Sequence, residues 1–367
     1  MKGSIQIVKL FGIPVRVHWS FGLLILGVIY MGQSGGVSLQ GTMWMVLFFL
    51  SLFVCVVLHE FGHALSARHY GVKTHDIVLS PIGGIARLDK LPEKPFQEFI
   101  IAIAGPLVNL AIAALLAPYV FYVSEIGLDL IGLEDSPFSH PANFLSLLFL
   151  LNISLAVFNL LPAFPMDGGR IFRALLSTKF SRTKATQIAT YLGQAIAIVF
   201  LTVGIFNNDL VIAFIGVFVF FTAASENRMV KINHKLSSYT VGDLMRREFA
   251  KLKESDGIAV AVHEMKQGLE KYFLVFDQAE RLVGMVSDEQ IRKARESLGL
   301  ENTVGDFMQP ISFSINPGDS LKSVFYKMQQ KQMPLFPVME NNKVVGVIDI
   351  KMMKDFLLSN KKITSQV

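Results

Sequence analysis

No Asp, Glu, Lys or Arg occurs between residues 17 and 58, and a run of that length has to be kept from water by lipid. A spanning helix needs about 20 apolar residues, and this run holds twice that number. It is split by Gly32-Gln33-Ser34-Gly35-Gly36, so the sequence predicts two helices within it. Four further charge-free segments cover residues 99–124, 136–166, 185–208 and 210–225. The reading is therefore six transmembrane helices. Only 17% of the chain is charged and 52% is hydrophobic, whereas ordinary soluble domains carry about a quarter charged residues. A purely soluble protein is excluded.

The loops give an independent orientation, because cytoplasmic loops are enriched in Lys and Arg. After spans two, four and six stand Arg68, Lys73, Arg87, Lys90 and Lys94, then Arg170, Arg173, Lys179, Arg182 and Lys184, then Arg228, Lys231 and Lys235. The loops after spans one, three and five carry only acids, such as Glu125, Asp129, Glu134, Asp135 and Asp209. Both termini are thus expected in the cytoplasm. The sixth span is the weakest, since residues 210–225 give only about 24 Å of helix. Losing it would move the carboxyl-terminal region outside, against the charge pattern. Lys2, Lys9 and Arg16 precede the first run without a small-residue cleavage site after it, which predicts an uncleaved span. The net charge of +5 gathers around apolar segments, a pattern that fits a membrane surface and predicts no nucleic-acid partner.

From about residue 227 the composition turns to mixed charge and repeats itself. Val241-Gly242-Asp243-Leu244-Met245 recurs as Val304-Gly305-Asp306-Phe307-Met308, and Leu282-Val283-Gly284-Met285-Val286 as Val344-Val345-Gly346-Val347-Ile348. Short apolar strands alternate with helix-period stretches, which argues for a small α+β repeat. The tail resembles a tandem pair of CBS domains over roughly residues 238–358. In that family the pair packs as one module and often binds an adenine nucleotide, using a Ser or Thr three residues after the glycine and an Asp six after it. Those positions here are Ser287 and Gln290, then Asp349 and Met352. Neither ribose-binding Asp is present. An adenine nucleotide and a ligand-free dimerising or substrate-gating module both stay open. The division expected is residues 1–227, a 228–240 linker, and repeats at 241–296 and 304–358.

The chemistry is concentrated at the end of span two, in His59-Glu60-Phe61-Gly62-His63. This spacing places two imidazoles one helical turn apart on one face, as a tetrahedral zinc ion needs, with Glu60 free to act on water. The single cysteine, Cys55, excludes an intramolecular disulfide and an all-cysteine site. It lies one turn before His59 and reads as packing. A two-histidine zinc site requires a third protein ligand and an open position for water. Span four ends Asn159-Leu160-Leu161-Pro162-Ala163-Phe164-Pro165-Met166-Asp167-Gly168-Gly169, where two prolines break the helix and hold Asp167 at the break. His59 lies about 26 Å below Thr42, and Asp167 sits at the same cytoplasmic end, so ligands from both segments can meet. The plainer reading of Asp167 is a helix-terminal acid beside Arg170 or Arg173.

Over residues 9–225 the chain resembles the site-2 protease family of intramembrane zinc metalloproteases, in the branch with carboxyl-terminal CBS domains. It carries that family's HExxH and NxxPxxPxDG motifs in full, and Gly105-Pro106-Leu107-Val108-Asn109 resembles a third, which implies close helix packing beside the site. The resemblance implies that His59, His63 and Asp167 are zinc ligands, that Glu60 is the general base, and that Asn159 positions substrate or stabilises the oxyanion. It also implies a transmembrane protein substrate, a prokaryotic plasma membrane as host, and a membrane-associated β-hairpin at residues 77–88 that could pair with unwound substrate. A homodimer through the tail is a further expectation. The competing readings are a CBS-gated transporter, which has no use for HExxH and Asp167 at equal depth, and a catalytically silent scaffold, which would normally lack a ligand.

Overall fold

The computed structural model describes residues 3–81, 83–89, 92, 94–122, 142–267, 270–297, 302–311, 313–331 and 333–359. It divides into two compact units, Met1–Val230 and Lys231–Val367. The acids Glu125, Asp129, Glu134 and Asp135, read above as an external loop, lie outside the described residues.

The first unit has seven described helices, α1 (Ser20–Ser34), α2 (Leu39–His69), α3 (Pro95–Tyr122), α4 (Ala142–Leu160), α5 (Asp167–Leu176), α6 (Arg182–Phe206) and the greater part of α7 (Leu210–Ser237), whose end lies past Val230. Serine oxygens cap two of them, Ser38 accepting from the Gly41 N–H and Ser181 from that of Lys184; this satisfies donors that the first turn leaves open. Helices α2, α3, α6 and α7 are long and apolar enough to cross a membrane, while α1 and Phe144–Leu160 of α4 are shorter apolar helices. Among the described residues, four helices are thus long and apolar enough to span. Charge-free sequence outruns helix at both short ones: α1 ends at the glycine-rich break, and α4 ends two residues before Pro162, which cannot continue it. The sixth segment, the weakest by sequence, sits in a helix of 28 residues, because α7 continues past the charged residues that closed the apolar count.

The unit is apolar outside and partly polar inside. Leu115, Phe206 and Leu210 are more than 80% exposed, whereas Thr42, Asn109, Asn152, Thr186 and Arg173 are buried. That is the distribution expected of helices whose solvent is lipid.

A four-stranded sheet, unforeseen at its amino-terminal half, completes the unit. Its strands are β1 (Ser4–Leu10), β2 (Ile13–His18), β3 (Thr74–Ser80) and β4 (Gly83–Leu88), paired in that order. The first apolar helix therefore begins at Ser20, since Val17 belongs to β2. Strands β2 and β3 run parallel and the other pairs antiparallel. Ile13, Val15, Ile77 and Leu79 pack on Phe53, Phe61 and Ala64 of α2, so the sheet lies against the helix that carries the two histidines. Beside this core Asp76 is held by Arg87 and by Arg16, whose Nε stands 3.3 Å from its carboxylate.

The second unit shows the repeat in three dimensions. Its first half supplies β5 (Lys251–Lys253), β6 (Tyr272–Phe276) and β7 (Leu282–Ser287) to one sheet, which β8 (Gln309–Pro310) of the second half completes, and has helices at Ile258–Gln267 and Asp288–Ser297. The second half has an antiparallel pair, Leu335–Glu340 with Lys343–Asp349, and helices at Leu321–Lys331 and Ile350–Leu358. Each half opens on the same capping box, Thr240 with Asp243 and Thr303 with Asp306. Leu274 and Met285 of the first half pack on Leu335 and Val347 of the second.

Candidate metal centre

Helix α2 places His59 and His63 on one stripe, and both are buried. Their Nε2 atoms lie 3.1 Å apart. Asp167, the first residue of α5, brings Oδ2 to 3.2 Å from His59 Nε2 and 3.0 Å from His63 Nε2. The three atoms thus form a triangle built from two distant segments. Ligands bonded to zinc at about 2.0–2.2 Å and at tetrahedral angles stand roughly 3.3–3.5 Å apart, so the spacing of this trio fits such an ion to within a few tenths of an ångström.

The chemistry of the trio agrees with that fit. His63 Nδ1 faces the Ile101 carbonyl at 2.7 Å, an acceptor only, so Nδ1 carries the proton and Nε2 a lone pair. His59 Nδ1 faces Asn109 Oδ1 at 2.6 Å, which turns its Nε2 lone pair to the same point. Two imine nitrogens and a carboxylate oxygen are an electron-rich set that repels itself without a cation between its members. Gly105 of α3 makes the necessary space. A Cβ there would stand 2.2 Å from His63 Nε2 and 2.7 Å from His59 Nε2.

Asp167 is held from behind. The chain turns at residues 161–166 and α5 starts tightly beneath the end of α4; a Cβ on Gly168 would come within 2.2 Å of the Leu161 carbonyl oxygen. Arg170 approaches Asp167 Oδ1 only to 3.9 Å. Arg173, the other arginine considered for Asp167, instead donates from Nε to Glu98 Oε1 of α3 at 2.9 Å and from Nη1 to Glu226 Oε1 of α7 at 2.6 Å. Arg182 pairs with Glu98 Oε2 at 3.0 Å. This ionic cluster fastens α5, and with it Asp167, to α3 and α7, while Arg182 joins α6 to the same Glu98.

Glu60 leaves the histidine stripe and meets the sheet, where its Oε2 accepts the Ala86 N–H of β4 at 3.0 Å. Asn159 is not drawn into the trio by its described bond, since its Nδ2 donates to the Leu155 carbonyl one turn back at 2.9 Å. Cys55 packs beneath His59 and lies 3.4 Å from Asn152 Nδ2.

A model of peptidase family M50 matches residues 47–200, and the CBS domain model matches 241–297 and 304–359. Zinc metalloprotease MJ0392 of Methanocaldococcus jannaschii is 35% identical over 352 residues, which span 95% of this chain and 94% of that protein. The chain belongs to peptidase family M50. A second relative, sll0528 of Synechocystis sp., is 30% identical over 370 residues, 95% of this chain and 94% of its own length. The solved site-2 protease from Methanocaldococcus jannaschii covers 61% of this chain and 95% of its own, with 37% identity and a TM-score of 0.45. This M50 protein is a metalloprotease with tandem CBS domains, and its family implies zinc.

Sequence reasoning placed Asn109 beside the site only as part of a packing motif, and missed its bond to His59, as well as Asn152 and the Glu98–Arg173 pair. Two asparagines in the middle of apolar helices were the available signal, because amides buried there require partners.

Proposed function

We propose that this M50 metalloprotease is an intramembrane zinc endopeptidase that hydrolyses peptide bonds in or near the transmembrane segments of membrane-anchored proteins. In this reading α1 and α4 cross the bilayer with the four longer helices, six spans in all, and both termini lie in the cytoplasm of a cell bounded by that plasma membrane. The observation that carries the proposal is the convergence of His59, His63 and Asp167, with both Nε2 lone pairs and the carboxylate aimed at one point, inside an apolar bundle.

His59, His63 and Asp167 would hold the zinc, which would supply Lewis acidity and lower the pKa of a water to about 7. Glu60 would take a proton from the attacking water as its oxygen bonds to the scissile carbonyl carbon, and return it to the amide nitrogen as the carbon–nitrogen bond breaks. Asn159 exchanges its Leu155 bond for the substrate oxyanion. A transmembrane helix hides its peptide bonds in internal hydrogen bonds, so the substrate unwinds before it is cut. Among the described residues β4 pairs with β3 alone, and its other edge receives the unwound segment by strand addition.

The CBS module regulates or gates access and supports a homodimer. Two of its would-be ligand positions already serve helix starts: Ser287 Oγ accepts the Gln290 N–H at 3.2 Å, and Asp349 Oδ1 that of Met352 at 2.7 Å. With Gln290 and Met352 where a ribose-binding Asp would stand, these caps favour the ligand-free reading over an adenine nucleotide.

Co-expression with a single-span test protein checks the function. The native chain is expected to hold about one zinc per molecule and to release a shortened product, while Glu60→Gln keeps the metal and accumulates the full-length test protein. Equal cleavage by both would remove Glu60 from the mechanism.

A further inference from the structure

Behind His59 runs a chain of amides across three helices. His59 Nδ1 meets Asn109 Oδ1 of α3 at 2.6 Å, Asn109 Nδ2 meets Asn152 Oδ1 of α4 at 2.8 Å, and Asn152 Nδ2 meets the Leu148 carbonyl at 2.8 Å. Both asparagines are 0% exposed, so water does not share in the pattern.

The direction of this chain follows from its far end. The Leu148 carbonyl can only accept, so the group of Asn152 that faces it is the NH2. The oxygen of Asn152 then faces Asn109, whose NH2 must turn towards it. That leaves the oxygen of Asn109 for His59, and an oxygen there requires a proton on Nδ1. Reversing either amide would set donor against donor or acceptor against acceptor in a buried place, at a cost of about 1–3 kcal/mol per unsatisfied group.

We infer that Asn109 and Asn152 act as a one-way relay of positioning residues, which keeps His59 in the Nδ1–H tautomer with its Nε2 lone pair presented to the metal. The inference rests on the ligand assignment proposed above. Asn109 orients the ring directly. Asn152 acts one step back, by deciding which end of Asn109 the ring meets. Partners of this kind are usually carboxylates, backbone carbonyls or water, and their loss costs 10–100-fold in metal affinity. Here an amide takes the place, and an amide can present either end, so a second amide is needed to set it. His63 needs no such device, because a backbone carbonyl cannot be turned round.

Zinc affinity of the purified full-length protein, measured by chelator competition, tests the relay alongside the visible spectrum of the cobalt form. Asn109→Leu, which deletes the acceptor, is expected to weaken zinc binding about 10–100-fold. Asn109→Asp keeps an acceptor for Nδ1–H and is expected to stay within about threefold of the native chain. Asn152→Leu leaves Asn109 in place but undirected, and is expected to lose several-fold with an altered cobalt spectrum. A mere packing role predicts the opposite order, since leucine suits an apolar bundle and a buried carboxylate does not. Retention of affinity within about twofold by Asn109→Leu, or equal losses in Asn109→Leu and Asn109→Asp, would overturn the relay. Should Asn109→Leu fail to fold, native affinity and spectrum in Asn152→Leu would overturn it as well. If the native chain itself bound no zinc, the ligand assignment would fall first, and the two failures are thereby told apart.

Discussion

The backbone N–H of Ala86 donates to Glu60 Oε2 at 3.0 Å, so the outer edge of the sheet and the proposed base are already in contact. In an antiparallel pair, a residue's N–H and C=O point to the same side of the strand. Ala86 is spent on Glu60, and its removal from that bond leaves the β3–β4 ladder intact. Proline is tolerated on such an outward-facing edge position. Ala86→Pro is therefore expected to keep its zinc and its fold while kcat falls about tenfold, because general-base catalysis depends on where the carboxylate is held. Single-turnover cleavage in proteoliposomes, with metal content measured on the same samples, checks it. An unchanged rate would mean that this bond does not position Glu60.

Much of this arrangement can be read from the residues, and the unread part has a common cause. HExxH fixes two imidazoles on one helix face through helix geometry alone, and the two prolines before Asp167 mark a helix break, so those positions are local properties of the chain. The ends of the short helices α1 and α4 are less legible, because a charge-free run states what must avoid water and not where the helix stops. Strands β1 and β2 stayed hidden since Val17 continues an apolar run, and the strand that joins their hairpin to the rest of the sheet pairs Val17 with Leu79, more than sixty residues away. Asn109, Asn152 and Glu98 acquire meaning only across helices, through partners that no spacing rule connects.

Gly105 occupies the face of the trio on which an added methyl group would fall. Alanine at that position suits helix α3 and carries no charge, so its effect is confined to space. A Cβ at 2.2 Å from His63 Nε2 forces the ring away from its partners. Gly105→Ala is expected to bring zinc content from about one per chain to below roughly a tenth, with little change in thermal unfolding. Elemental analysis of the purified protein decides it; full zinc content would show that the helices shift at no cost.

Acid tests the sheet. The Arg87 guanidinium hydrogen-bonded to Asp76, aided by Arg16, holds this carboxyl below the usual carboxylate range. A group more acidic in the folded chain than in the unfolded one contributes fully above its unfolded pKa, and that contribution disappears as pH falls through the folded value. Thermal stability is expected to drop below about pH 4. Asp76→Asn cannot titrate, and is expected to lose about 1 kcal/mol at neutral pH while showing a flatter acid limb. Unfolding curves from pH 3 to 7 compare the two, and parallel acid limbs would exclude Asp76 as the source.

Arg173 and Glu98 are each 1% exposed, and their pairing carries both stability and the placement of Asp167. Removing one partner of a buried pair leaves the other charge uncompensated, at about 3–5 kcal/mol, whereas replacing both by groups of similar volume is close to neutral. Arg182 also contacts Glu98, so Arg173→Met is expected at the lower end of that range, and Arg173→Met with Glu98→Gln is expected to recover most of the loss. Activity should not follow stability. The double variant restores a neutral interior but not the fork that ties α5 to α3 and α7, so Asp167 is held less firmly and cleavage stays reduced by about tenfold. Thermal unfolding and cleavage measured on the same three proteins separate the two effects. Full recovery of cleavage in the double variant would show that neutralising Glu98 is all that Arg173 does.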